Sequence, residues 1–260
     1  MRASFRLPAA TVRQVLCCAL VVGAAFALGP AAAADNPAAR IPFVGCPADG
    51  QMGPQAAPKK GAVPSLPPAL AAKAAGRLAY YAAAEEAGGI GSFAPKGWHC
   101  FVLYGSNGSQ LLVTANAVAS PDLIKAAQHI EGPALQLAWL DGDTSGRFEV
   151  AKVAARLFPV AKDYVQGVID EGLSDKSNFI WGPYPTDTVV RHSPTSVDFV
   201  TPAGRKGIGT DTHLSPGPLP IVGSALLFPD DDMALRELVM RLPPDRADLG
   251  PVIQATFRPE

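Results

Sequence analysis

The chain has 260 residues, of which 48% are hydrophobic and 17% charged, enough apolar material for a sizeable core, which excludes disorder along the whole length. The formal net charge is −1, and the chain without its first 34 residues, which hold three arginines and no acid, carries −4. So weak an acidic field excludes nucleic acid and anionic lipid as expected partners, and the length suits one domain or at most two small ones.

Residues 1–34 have the three parts of a cleaved secretory signal. Arg2, Arg6 and Arg13 give a positive start, residues 15–28 are apolar, and Ala32-Ala33-Ala34 offers a cleavage site before Asp35. The apolar stretch is too short to span a bilayer comfortably. Cys17 and Cys18 lie at its start, where a lipidated cysteine would have to follow it. The expected location is therefore periplasmic or extracellular. No later apolar run approaches 18 residues, so a mature protein with no transmembrane segment is expected.

Residues 35–68 contain eight prolines and no helical or alternating period. They read as an extended leader, pinned at Cys46, ahead of a single domain over residues 69–260. Cys46 and Cys100 are the two cysteines left after the signal. In an oxidising compartment they most simply form one disulfide, with free thiols or a metal pair as the alternatives.

Residues 69–87 predict a helix, because Leu70, Ala74, Leu78 and Tyr81 recur at helical spacing and Gly88-Gly89 follows. Residues 98–104 and 110–114 predict a hairpin around Gly105-Ser106-Asn107-Gly108, with Asn107-Gly108 as its turn signal. The turn also accounts for the glycosylation-like Asn107-Gly108-Ser109. Residues 121–130 read as a short helix and residues 134–140 as a strand. After the polar loop 141–146 comes a helix with Phe148, Ala151, Ala155 and Phe158 on one stripe, restarted at Pro159 and continuing to Gly172. Strands are expected at 187–192, 197–201, 221–228 and 234–242, with Asp230-Asp231-Asp232 as a turn, and a helix at 249–256. Strands and helices do not alternate strictly, so the predicted class is α+β, with a mostly antiparallel sheet and packed helices.

The stretches Gly97-Trp98-His99-Cys100-Phe101, Tyr104-Gly105-Ser106-Asn107-Gly108-Ser109, Gly142-Asp143-Thr144-Ser145-Gly146-Arg147-Phe148-Glu149-Val150 and Arg241-Leu242-Pro243-Pro244 resemble an uncharacterised family of secreted proteobacterial proteins. The resemblance runs from about Cys46 onward. It implies export and a shared fold, and carries no activity or catalytic residue.

His99 and the Gly142–Gly146 loop superficially suggest a serine protease. The 46 residues between His99 and Ser145 hold too few strands for two β-barrels, and no G-x-S-x-G occurs. Asp143, Thr144 and Ser145 are instead expected to cap the following helix. His99 and Cys100 are adjacent on a strand, so they point to opposite faces and cannot pair. Four histidines without metal-ligand spacing give no zinc motif, with Asp211-Thr212-His213 the one tight Asp/His pair. The consecutive acids at 230–232 lack the calcium-loop pattern. Gly207-Ile208-Gly209 precedes no helix and is no phosphate cradle. No cofactor or metal is expected. The sequence favours an exported non-catalytic binding or envelope-associated domain with an unidentified protein or envelope partner. The alternative is a small hydrolase whose site assembles from His99, Asp143, Ser145 and Arg147.

Overall fold

The computed structural model describes residues 41–117, 122–230 and 232–258. The signal region 1–34, Pro121 and Asp231 lie outside the described residues. The strands are β1 (Phe43–Gly45), β2 (Ala48–Gly50), β3 (Leu78–Ala82), β4 (Gly91–Pro95), β5 (His99–Gly105), β6 (Gly108–Thr114), β7 (Ala134–Leu140), β8 (Thr188–Ser193), β9 (Ser196–Thr201), β10 (Ile221–Phe228) and β11 (Ala234–Arg241). The α-helices are α1 (Pro68–Ala74), α2 (Leu123–Ala126), α3 (Arg147–Leu157), α4 (Lys162–Asp170) and α5 (Gly250–Phe257). No described helix is long and apolar enough to cross a membrane.

The strands form an eight-stranded sheet, in the order β2-β5-β6-β7-β11-β10-β9-β8, and a three-stranded sheet, β1-β3-β4. Among the described strands only β1/β3 and β2/β5 run parallel. The fold is thus α+β and mostly antiparallel, as expected. The core divides between the two faces of the large sheet. On one face Val102, Leu111, Val113, Leu135, Leu137, Leu238 and Met240 pack with the small sheet and α5. On the other, Phe101, Leu112, Ala138, Leu140, Val197 and Phe199 pack with α3 and α4.

The proline-rich segment 41–68 supplies a strand to each sheet: β1 to the small one, β2 to an edge of the large one. Between them Cys46 is 1% exposed. It is bonded to Cys100 of β5, with Cα atoms 5.3 Å apart. The pairing read from the cysteine count is the one observed.

The helix expected over residues 69–87 is shorter and gives way to a strand. α1 ends at Ala74, and Gly76 turns the chain at φ 70°, a region glycine enters at little cost. Residues 78–82 then pair with β1 on one side and β4 on the other. Leu78 and Tyr81 are both fully buried, one on each face of β3, which is why their spacing also fits a helical stripe. The buried Tyr81 hydroxyl donates to the Pro95 carbonyl at 2.8 Å and accepts the Trp98 N–H at 3.0 Å. Sheet pairing and tyrosine burial here outweigh the helix preference of alanine, worth only tenths of a kcal/mol per residue.

Arg241, 1% exposed at the end of β11, meets three carbonyls. It donates to Gly132 at 2.6 Å, to Ile130 at 2.9 Å and to Ser215. The Ile130 N–H also donates to His213 O at 2.8 Å, and the Ser215 N–H to Ile130 O at 3.1 Å. The long loop after β9 is thereby held down on the sheet beside the site described next.

Candidate functional site

Gln110 on β6, Ala138 on β7 and Glu237 on β11 are paired across adjacent strands. Gln136 lies two residues before Ala138, on the same face. Strands stand about 4.8 Å apart, so Gln110 and Glu237 flank the Ala138 methyl at roughly 10 Å from each other. Alanine in the middle leaves a polar-edged hollow, and a cleft of about 590 Å³ opens over it.

The loop after β9 makes one wall, and its shape rests on local hydrogen bonds. The Gly207 N–H donates to Thr210 Oγ1 at 2.9 Å, Ile208 N–H to Asp187 Oδ2 at 2.8 Å and Gly209 N–H to Thr201 Oγ1 at 3.0 Å. A Cβ at Gly207 would sit 2.1 Å from Asp187 Oδ1, so only glycine allows this approach. The pair Gly207 and Gly209 thus shapes a 3₁₀ turn, Ile208–Thr210, that delivers Asp211 and His213 to the cleft. The His213 N–H donates to Gln136 Oε1 at 2.9 Å, and its Nε2 lies 2.6 Å from Gln110 Oε1.

The opposite wall is the polar edge of α3. Glu149, Lys152, Val153 and Arg156 line the cleft, one turn apart along a single stripe. Arg156 stacks 3.8 Å over the ring of Tyr184 and donates to the Gly182 carbonyl at 3.2 Å. The Tyr184 hydroxyl donates to the Asp211 carboxylate at 2.8 and 2.9 Å. Lys152 and Glu149 lie 3.5 Å apart.

Glu237 is 5% exposed, and its Oε1 has no hydrogen-bond partner. Burial, reinforced by the Asp211 carboxylate, pushes its carboxyl up to about 8. It is therefore neutral at pH 7 and carries a proton that it can donate. Burial holds the His213 imidazole below its ordinary range, partly offset by a hydrogen bond to the Ala127 carbonyl. A neutral ring has one N–H, so with that N–H on the Ala127 carbonyl the Gln110 amide must be turned to donate to Nε2. Behind the loop, burial also raises the Asp187 carboxyl, partly offset by its hydrogen bonds from the Ile208 N–H and Thr201. The base of the cleft is polar and uncharged, and its formal charges stand at the rim. Among the described residues no group of three His, Cys, Asp or Glu side chains could hold a metal ion.

Three of the four catalytic candidates read from the sequence lie away from this cleft, Asp143 and Ser145 on the loop before α3 and Arg147 at its first residue, and the fourth is remote from them. Ser145 Oγ is 2.8 Å from Ser106 Oγ, in the hairpin turn at the far end of β5. His99 is exposed at the other end of that strand, roughly 20 Å away by strand rise. Arg147 is paired with Glu171 at 2.8 Å and donates to the Thr144 carbonyl at 2.8 Å. Asp143 shares a shallow groove with Arg147, Tyr164 and Glu171. Tyr164 donates to the Gly142 carbonyl at 3.0 Å, and burial raises its hydroxyl to about 12. The expected side-chain cap on α3 is not formed. Gly146 occupies that position, and Thr144 Oγ1 accepts the Gly146 N–H at 3.3 Å, ahead of the helix. The Thr144 hydroxyl is used within the loop and the Ser145 hydroxyl on the hairpin turn, before the first helical turn begins.

Sequence reasoning passed over Gln110, Gln136 and Glu237. The signal available was Glu237 on a strand with apolar residues on both faces, between Leu235 and Val239. A carboxyl so placed is costly unless something meets it. Comparison with protein-family models, curated proteins and solved structures returns no match to this chain.

Proposed function

We propose that the protein is an exported, non-catalytic domain that binds a small polar molecule in the cleft over Glu237. The observation that carries this reading is the Glu237 carboxyl itself. It is buried, neutral, and has an oxygen with no partner among the described residues. An unmet buried polar group costs about 1–3 kcal/mol, which a ligand hydrogen bond would recover. Perturbed titratable groups converging on a cleft within the usual ~300–1,000 Å³ range mark a binding site.

Binding is favoured over catalysis by the company His213 keeps. Its ring meets Gln110 and the Ala127 carbonyl, and no hydroxyl or thiol among the described residues is paired with it. Thr212, the nearest hydroxyl in sequence, donates to the Gly209 carbonyl at 2.8 Å. Among the described residues, no nucleophile–base pair of the kind covalent catalysis needs is assembled at His213. Export is supported by the signal-like residues 1–34, by the Cys46–Cys100 disulfide and by the resemblance to secreted proteobacterial proteins.

Amide-resolved NMR of the mature protein, titrated with sugars, dicarboxylates, diamines and amino acids, tests the site. Shifts are expected around Gln110, Gln136, His213 and Glu237, lost in Ala138→Leu, with the added molecule unchanged. Shifts centred on the Asp143–Arg147 loop, or conversion of the molecule, would overturn the reading. An intact mass starting at Asp35 in protein recovered outside the cytoplasm tests export.

A further inference from the structure

We infer that the ligand of this cleft is an uncharged, hydroxyl-rich ring of the saccharide class, held by Glu237, Gln110 and Gln136 around the Ala138 methyl. The inference rests on the binding reading above and names its ligand class. Three observations carry it.

The first is the hydrogen-bonding character of the base. A protonated carboxyl offers one donor and one acceptor, and each glutamine amide has both. Gln110 and Gln136 are each already tied to His213 through one end. The His213 N–H fixes the Gln136 oxygen, so that amide turns its N–H groups to the cleft, and hydroxyl groups can accept from it and from the Glu237 proton while donating to the unpartnered Glu237 oxygen. A carboxylate only accepts and an ammonium only donates, so each would leave part of the base unmet.

The second is charge. Three cations (Lys152, Arg156, Lys206) face two carboxylates (Glu149, Asp211) around the lining, with Glu237 neutral. Lys152 is paired with Glu149, and Asp211 is engaged by the Tyr184 hydroxyl. Arg156 lies against the Tyr184 ring. Lys206 lies 5.9 Å from the same ring, so the one surplus positive charge stands at the rim around Tyr184 and none stands on the base. A charged ligand would have to surrender its hydration for little return.

The third is the apolar part of the lining. Leu140, Val153, Ile180 and Ile208 join Ala138. Carbon-bound hydrogens of a ring can pack there while its hydroxyls reach the polar side chains, the division of labour usual in small-molecule sites.

The test is isothermal titration of the mature protein with glucose, N-acetylglucosamine and maltose, beside succinate and 1,4-diaminobutane, in parallel with the NMR map. At least one sugar is expected to bind roughly tenfold or more tighter than either charged probe. Glu237→Ala should weaken it by roughly tenfold, the worth of one hydrogen bond, and Glu237→Gln by less. Ala138→Leu should abolish it by filling the base, and the amide spectrum of Glu237→Gln checks that the fold is kept. If succinate or 1,4-diaminobutane binds at the cleft and no sugar does, the saccharide class is overturned and the binding reading survives. If no probe moves the cleft residues, the saccharide inference is overturned and the binding reading fails with it. Sugar binding that is indifferent to both Glu237→Ala and Ala138→Leu would overturn the placement.

Discussion

On β7, Leu135 and Leu137 point to one side of the large sheet, and Gln136 and Ala138 to the other. On β11, Leu238 and Met240 share the first side, and Glu237 and Val239 the second. The first side is covered by the small sheet and α5, and its strand residues pack with theirs in one hydrophobic core. The second side is covered over part of its area by α3 and α4. Small residues on α3 (Ala151, Ala154, Ala155) let the helix sit close to the sheet, and its next stripe then overhangs the polar patch. The same strands therefore build a structural face and a face with a recess. The difference lies in three polar side chains and one methyl. A face meant only for packing would place an apolar residue at 237, because burying a carboxyl destabilises the fold whenever it ionises.

The sharpest way to break this contrast is to cut the helix layer from the sheet. Phe158, fully buried at the end of α3, anchors that layer. Phe158→Ala is expected to destabilise by about 3–5 kcal/mol in chemical denaturation. A loss under about 1 kcal/mol would mean that the helices do not hold the second face. The matching test of the first face is the disulfide that ties β5 to the chain between β1 and β2. The sequence separation is 54 residues. Opening that loop should cost about 4 kcal/mol in the chain-entropy model. Melting with and without reductant reads the cost, and two free thiols in denatured, unreduced protein would contradict the bond.

Glu237 sharpens the comparison through pH. Its folded carboxyl titrates at about 8 against an ordinary value of 4.5. The folded state then binds more protons than the unfolded state between those values, so stability falls as pH rises through that window. At 1.36 kcal/mol per unit the difference at pH 7 is roughly 3 kcal/mol. Glu237→Gln removes the titration and should be more stable than the parent by about that amount at pH 7, and by progressively less toward pH 4.5. His213, whose ring is held neutral, acts in the opposite sense below its ordinary range. The parent-minus-variant difference cancels it. A difference independent of pH would mean that Glu237 is solvated, and the recess would lose its distinguishing group.

Much of the fold was legible because local rules and tertiary packing agree along most of the chain. Ala134–Leu140 and Ile221–Phe228 are strands over the predicted residues, and the hairpin closes between Gly105 and Gly108, with Ser106-Asn107 rather than Asn107-Gly108 at its tip. The restart of the helix at Pro159 follows from its missing N–H. Agreement fails at residues 78–82, where alanine favours helix and the partners β1 and β4 impose strand. Those partners lie far apart in sequence for β1 and across a turn for β4, and no local window reveals them. The recess was illegible for a related reason. Gln110, Gln136, His213 and Glu237 come from three strands and a loop, each a lone polar residue without a motif. The residues that do look like a motif, His99 and Asp143 to Arg147, are held apart by the length of β5. Chemistry by spacing can be read along a helix or a tight loop, and this cleft is assembled across strands.

The smallest expected effect falls on the residue a protease reading would choose. Ser145 sits in a loop whose backbone is already held without it: the Thr144 hydroxyl donates to the Asp141 carbonyl at 3.0 Å, and Arg147 donates to the Thr144 carbonyl. Its own hydroxyl meets the Ser106 hydroxyl at an exposed position, 2.8 Å away. Either partner can replace that bond with water, so Ser145→Ala should cost less than about 1 kcal/mol. The loss is small also because no α3 backbone N–H depends on the side chain. Ligand affinity in the cleft should be unchanged, since Ser145 does not line it. A catalytic serine would behave in the reverse way, with several orders of magnitude lost in rate and little change in stability. Fluorophosphonate labelling separates the two outcomes without knowledge of a substrate. No modification of Ser145 is expected, because an activating base is missing: His99 stands at the other end of β5, and the only side chain bonded to Ser145 Oγ is another hydroxyl. Stoichiometric labelling at Ser145 that His99→Ala abolishes would place a working site on the hairpin turn and reverse the assignment of the recess as the functional face.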